Sequence, residues 1–238
     1  MRRTFKPCLL LIAIIVAAAS IVITKRAVSF GSGQGVSGEA VKGWLDDAVT
    51  LASAKPSVVV GNWPPVKGQP FPELQLADQN GDLIRWAEFK GKVILVEYVA
   101  SSCEGCQAFS GGARVGAYAG GSVQRELESI ETYSERYAGV QLGKDVVFVQ
   151  VLLYGAGNRA PTAEEVSEWA SHFHFDRRRN QIVLRGTAAM LNRATYEKIP
   201  GFHLVDRQFV LRSDSCGHHP VDDLYQELLP LMGRLARH

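Results

Sequence analysis

The stretch "VILVEYVASSCEGCQAF", Val93 to Phe109, decides the fold. Val93 to Val99 is a nearly continuous run of strand-forming residues, the pattern of a strand covered on both faces at the centre of a sheet. Two cysteines separated by two residues follow it directly. Such a pair serves as a redox-active dithiol, as half of a metal site, or as a structural disulfide. A zinc site needs four ligands, and no second C-x-x-C exists in the chain. A structural bridge between Cys103 and Cys106 closes a very small loop and so stabilises little by the chain-entropy argument. Placement after a buried strand, at the start of a helix, favours the dithiol. Helix N-terminal amides and the macrodipole stabilise a thiolate, the nucleophilic form. Cys103 is expected exposed at that terminus, with Cys106 one turn further in and partly covered, a division that suits an attacking and a resolving thiol.

Outward from this segment, strand and helix patterns alternate. Upstream, Leu74–Ala77 and Leu83–Trp86 flank Asn80-Gly81, a strong hairpin signal. Downstream, helical spacing predicts a helix from Ser122 to Tyr137, and Val146 to Leu153 reads as a second buried strand. Thr162 with Glu165 forms a capping box opening a helix that runs to about His174. A strand at Gln181–Leu184, a helix at Ala188–Lys198 and two strands at Phe202–Val205 and Phe209–Arg212 come next. A helix from Val221 to Leu235 closes the chain, with Leu224, Leu228, Leu231 and Leu235 on one face. This order predicts a three-layer α/β sandwich.

The other end of the chain differs. Arg2, Arg3 and Lys6 precede an apolar run from Cys8 to Ile23, closed by Lys25-Arg26. As a helix that run reaches about 25 Å, within spanning range. Ala17-Ala18-Ala19 offers a signal-peptidase site. The continuation Ile21-Val22-Ile23 and the basic stop favour an uncleaved anchor over a cleaved signal peptide. Residues 1–26 are therefore expected as a membrane anchor with an extracytoplasmic, periplasmic domain beyond it. Residues 27–65 hold a Gly/Ser-rich tether and an amphipathic helix ending before Pro56, and 66–238 form the folded domain. A balance of 26 Lys+Arg against 24 Asp+Glu implies no nucleic-acid partner, and Arg177-Arg178-Arg179 reads as a solvated turn. Cys103, Cys106 and Cys216 are an odd number of exported cysteines, so at least one thiol is expected free or exchanging.

"ILVEYVASSCEGC" aligns without gaps on the active-site strand and helix of the thioredoxin superfamily. "FPELQLADQNGDLIRWAEFKGKVILVEY" resembles its membrane-tethered TlpA-like branch, and "IPGFHLVDRQFVL" resembles the cis-proline loop and terminal hairpin of that family. The resemblance spans roughly Val66 to Leu235. It implies a thioredoxin-like α/β/α sandwich with an N-terminal hairpin extension and thiol-disulfide oxidoreductase activity without a cofactor. The implied partners are protein thiols or disulfides and an upstream electron donor. It makes Cys103 the nucleophile, Cys106 the resolving cysteine, Pro200 the cis-proline and Ile199 the residue whose backbone pairs with substrate. Glu97 stands six residues before Cys103, where thioredoxins carry a buried acid. A carboxyl desolvated there has a raised pKa and accepts or returns the Cys106 proton.

Three positions depart from the family pattern. Ser102 replaces the usual bulky residue before the first cysteine, Gly105 replaces the usual proline, and Glu104 opposes a neighbouring thiolate. Together they point away from a strong oxidant and toward reduction or exchange. The glycine-rich insert from Gly111 to Gly121 interrupts the active-site helix without an assigned purpose. Sco copper metallochaperones offer an alternative, with copper held by Cys103 and Cys106 together with His218 or His219. Their pair is spaced one residue wider, and Lys198 stands where their histidine is expected. A peroxiredoxin fits less well, because Ala100 occupies the place of its Thr or Ser. A binding protein that reuses the fold without catalysis is the third class, and it would tolerate loss of both thiols. His172, His174 and His203 read as two surface residues and a strand residue.

Overall fold

The computed structural model describes residues 58–237. The apolar run at 8–23, the tether and the helix expected before Pro56 lie outside the described residues. Among the described residues no helix is long and apolar enough to cross a membrane.

Two sheets organise the domain. β1 (Val58–Val60), β2 (Glu73–Ala77) and β3 (Leu83–Arg85) form a small antiparallel sheet in that order. The expected hairpin is its second half. Asp78 Oδ1 accepts the Asn80 and Asp82 amides, and Gly81 takes a φ of 83° that completes the turn. β1, which the sequence reading placed in no strand, adds a third member.

The main sheet holds β4 (Ile94–Ala100), β5 (Val147–Tyr154), β6 (Gln181–Arg185), β7 (Gly201–Val205) and β8 (Leu211–Cys216) in the order β6-β5-β4-β7-β8. β4, β5 and β6 run parallel, whereas β7 and β8 are antiparallel to their neighbours. Among the described residues, the α-helices that accompany them are α1 (Glu104–Phe109), α2 (Gly112–Val115), α3 (Ile130–Tyr133), α4 (Ala163–His172), α5 (Arg193–Tyr196) and, after the last strand, α6 (Leu229–Arg237). Wide turns extend α3 to Ala138 and precede α6 from Leu224. A dithiol strand and helix, a parallel crossover, an antiparallel hairpin and a closing helix make the thioredoxin-like arrangement.

β4 is buried along its whole length, as its composition requires. Ile94, Val96 and Tyr98 enter a core shared with Leu74, Leu76, Ile84 and Trp86 of the small sheet region. Val93 and Leu95 enter a second core with Phe109, Ile130, Phe202, Leu229 and Met232. Alternation along one strand thus supplies both faces.

Three expected elements are corrected. The helix predicted from Ser122 begins only at Ile130, because Ser129 caps it by accepting the Thr132 amide, while the Gln124 amide is drawn to Glu104 O. The helix predicted over Ala188–Lys198 is two separate turns. Trp63 Nε1 takes the Met190 carbonyl and Thr195 Oγ1, and Asn192 recaps the chain with its own side chain. The last strand starts at Leu211 rather than Phe209, since Asp206 Oδ1 accepts the Gln208 and Val210 amides and holds residues 206–210 in a turn. Cys216 therefore ends a strand instead of lying in the loop beyond it.

Candidate redox site

The site sits at the carboxyl end of β4, where the sheet changes from its parallel β5 neighbour to antiparallel β7. Such switch points leave a crevice outside the strand ends. Cys103 is the N-cap of α1, and its sulfur lies 3.1 Å from the Cys106 amide, which donates to it. Cys103 is half-buried rather than exposed and Cys106 fully buried rather than partly covered, so both sit deeper than expected while the inequality between them holds. The two form a disulfide with Cα atoms 5.2 Å apart. Cys106 Sγ also lies 3.9 Å from the Tyr98 carbonyl.

The Ile199–Pro200 bond is cis. Pro200 O accepts the Gly217 amide at 2.9 Å, so this loop is tied to the end of β8. Gly105 explains one departure from the family pattern. A Cβ there would come within 3.2 Å of Pro200 Cγ, so the small residue lets the proline sit against the first turn of α1. Ser102 is exposed, and a cleft of about 1000 Å³ opens beside it. Cys103, Ile199, Pro200, Cys216, His218 and His219 are among its lining residues, and both histidines are exposed.

Glu97 is fully buried. Its Oε2 accepts Gln150 Nε2 at 2.7 Å, and Oε1 has no hydrogen-bond partner. Burial pushes its carboxyl up to about 8, against the lowering effect of the Gln150 bond. The same Gln150 amide reaches Ser110 Oγ at 2.7 Å, and Ser110 Oγ donates to the Cys106 carbonyl at 2.8 Å. Trp169 Nε1 donates to Gln150 Oε1 at 2.7 Å and fixes the amide. Sequence reasoning missed Gln150, Ser110 and Trp169. Gln150 carried a usable signal, since it interrupts the apolar run of β5 just as Glu97 interrupts β4, and the two are in register.

The glycine-rich insert folds back over α1. Gln107 is buried, its Nε2 bonded to Ser101 O and its Oε1 to the Tyr118 amide. A Cβ on Gly121 would lie 2.6 Å from Gln107 Nε2, so a larger residue there would have to push that amide aside. Tyr118 continues the clasp to α4, with its hydroxyl on Glu168 and its ring against Trp169.

The cysteine–histidine set of the copper alternative does not form a close donor group. Among the described residues, the His, Cys, Asp and Glu ligand atoms that converge as three or more within 4.8 Å are those of His203, Asp214 and Cys216.

No protein-family model and no curated protein matches this chain. Solved structures resemble it at low identity. The thioredoxin domain of a thiol-disulfide oxidoreductase from Bacteroides vulgatus is 14% identical, with 71% of this chain and 99% of that one covered at a TM-score of 0.44. A SCO1/SenC family lipoprotein from Bacillus anthracis is 16% identical, covering 74% and 99% at 0.45. A secreted thiol-disulfide isomerase from Corynebacterium glutamicum is 10% identical, covering 77% and 100% at 0.43.

Proposed function

We propose that the chain is a membrane-tethered thiol-disulfide oxidoreductase whose Cys103–Cys106 pair exchanges with protein partners. The observation that carries this reading is the division of labour at α1. One sulfur caps the helix in an open cleft beside a cis-proline, and the other is sealed behind it. In the reduced form, the Cys103 thiolate attacks a partner disulfide, forms a mixed disulfide and expels one partner thiolate. Cys106 then loses its proton to the Glu97 carboxylate and attacks Cys103 Sγ. The second partner thiolate leaves, so two electrons pass from the dithiol to the partner. Ile199 presents its backbone to the partner chain at the cis bond. An upstream thiol donor reverses the oxidation.

Replacing Cys106 by serine, with Cys216 also replaced, is expected to accumulate a mixed disulfide on Cys103. Nonreducing electrophoresis should show a partner-linked species that a reductant dissolves, and Cys103→Ser should show none. A second reading, copper held by the reduced pair with His218 or His219, draws on the position of both histidines on the same cleft. Failure to trap any partner, together with tight Cu(I) binding that requires either histidine, would replace exchange by metal delivery.

The tether is the apolar run at residues 8–23 with its basic flanks. Protease added to intact cells should remove the domain, and the purified protein should retain its N-terminal segment. A mature N-terminus at Ser20, or a domain protected from external protease, overturns the tether while leaving the exchange chemistry untouched.

A further inference from the structure

We infer that His203, Asp214 and Cys216 form a binding site for a borderline-soft divalent metal ion of the zinc class, separate from the dithiol. The three residues lie on adjacent antiparallel strands. His203 faces Asp214 across the β7–β8 ladder, and Cys216 lies two residues along, opposite Gly201. A period of two puts all three on one face, and Gly201 has no side chain to obstruct the sulfur. All three are buried, and their nitrogen, oxygen and sulfur ligand atoms lie within 4.8 Å of one another.

A second observation points to a ligand. His203 Nε2 is buried without a hydrogen bond, although Asp214 Oδ1 stands 3.0 Å away. A buried polar nitrogen in that state calls for a partner. The surroundings of each donor also suit a metal. Tyr98 OH bonds the other ring nitrogen, Nδ1, at 2.9 Å, and Lys198 Nζ bonds the other carboxylate oxygen, Oδ2, at 2.9 Å. Partners of this kind fix the imidazole tautomer and the carboxylate orientation in metal sites, leaving Nε2 and Oδ1 as inward ligands. Metal bonds of about 2.0–2.3 Å to nitrogen, oxygen and sulfur require only a small contraction of this cluster.

Thiolate and imidazole together select zinc-class ions over magnesium or calcium. The thiolate and the carboxylate bring two negative charges to a divalent cation, the carboxylate sharing its charge with Lys198. Binding exchanges the Cys216 S–H bond for a sulfur–metal bond and releases one proton to solvent, with no electron transferred. Cys216 also lines the cleft, which gives the cluster a side facing solvent.

The test uses the full chain with Cys103–Cys106 oxidised and Cys8 replaced by serine, so that Cys216 is its one thiol. Titration with Co²⁺ is expected to give one equivalent bound, with a thiolate-to-cobalt charge-transfer band that Zn²⁺ abolishes. His203→Ala should weaken binding at least tenfold, whereas replacing both His218 and His219 by alanine should leave it unchanged. No charge-transfer band in this single-thiol protein overturns the site, and that result needs no further variant to fold. Binding that survives His203→Ala but depends on His218 or His219 overturns it equally.

Discussion

Oxidised protein carrying Glu97→Gln is expected to be more stable than the natural sequence above pH 8 and less stable below pH 5. The folded carboxyl titrates near 8, against 4.5 when unperturbed. A raised folded value means that the unfolded chain ionises first. Glu97 therefore contributes its full stability below pH 4.5, and that contribution drains away as pH rises through 8. The loss over this window is at most about 5 kcal/mol. Glutamine removes the titration but leaves an amide donor at the place of the unpartnered Oε1, which costs about 1–3 kcal/mol. Two stability curves that cross between pH 5 and 8 are the signature, read by urea unfolding at fixed pH steps. The same substitution should slow disulfide exchange and flatten its pH profile near 8, because Cys106 loses its proton acceptor. Parallel stability curves and unchanged exchange would make Glu97 a structural residue only.

Gly201→Ala is expected to lose about 3 kcal/mol or more, together with most exchange activity. The added methyl would stand 2.4 Å from both Cys216 Cα and Lys198 O, with Cys216 Cβ at 2.8 Å. These are backbone neighbours or atoms next to backbone, so no rotamer change relieves them. Gly201 also pairs with Tyr98 on its other side, which closes the remaining direction of escape. Relief requires β7 to part from β8, and that movement carries the cis Ile199–Pro200 bond away from Cys103. Thermal or urea unfolding with a partner-exchange assay checks both effects. A stability change below about 0.5 kcal/mol would show that the strand pair yields easily and that the loop is not held by this contact.

Several elements were legible because one local pattern sufficed. The β4 run, the Asn80-Gly81 hairpin and the Thr162/Glu165 capping box all appear where the residues predict them. The predicted helices at 122–137 and 188–198 failed for a shared reason. Both have helical periodicity, and both lose their hydrogen bonds to distant partners, Glu104 O in one and Trp63 Nε1 in the other. Periodicity records which residues are apolar and carries no information about competing donors and acceptors remote in sequence.

The candidate site divides along the same line. By itself the sequence determined the strand–C-x-x-C–helix order, the unequal burial of Cys103 and Cys106, the buried acid at Glu97 and the position of Pro200. The first two depend on neighbours a few residues away, whereas the last two are what the resemblance to the thioredoxin pattern implied. Tertiary structure alone decided that Gln150 holds Glu97, that the glycine-rich insert clasps Gln107, and that Cys216 ends a strand beside the cis-proline loop. It also decided that His203, read from sequence as a strand residue, meets Asp214 and Cys216 inside the protein. Those contacts join residues about 10 to 50 positions apart. Strand pairing brings them together, and pairing register is set by how the whole sheet packs.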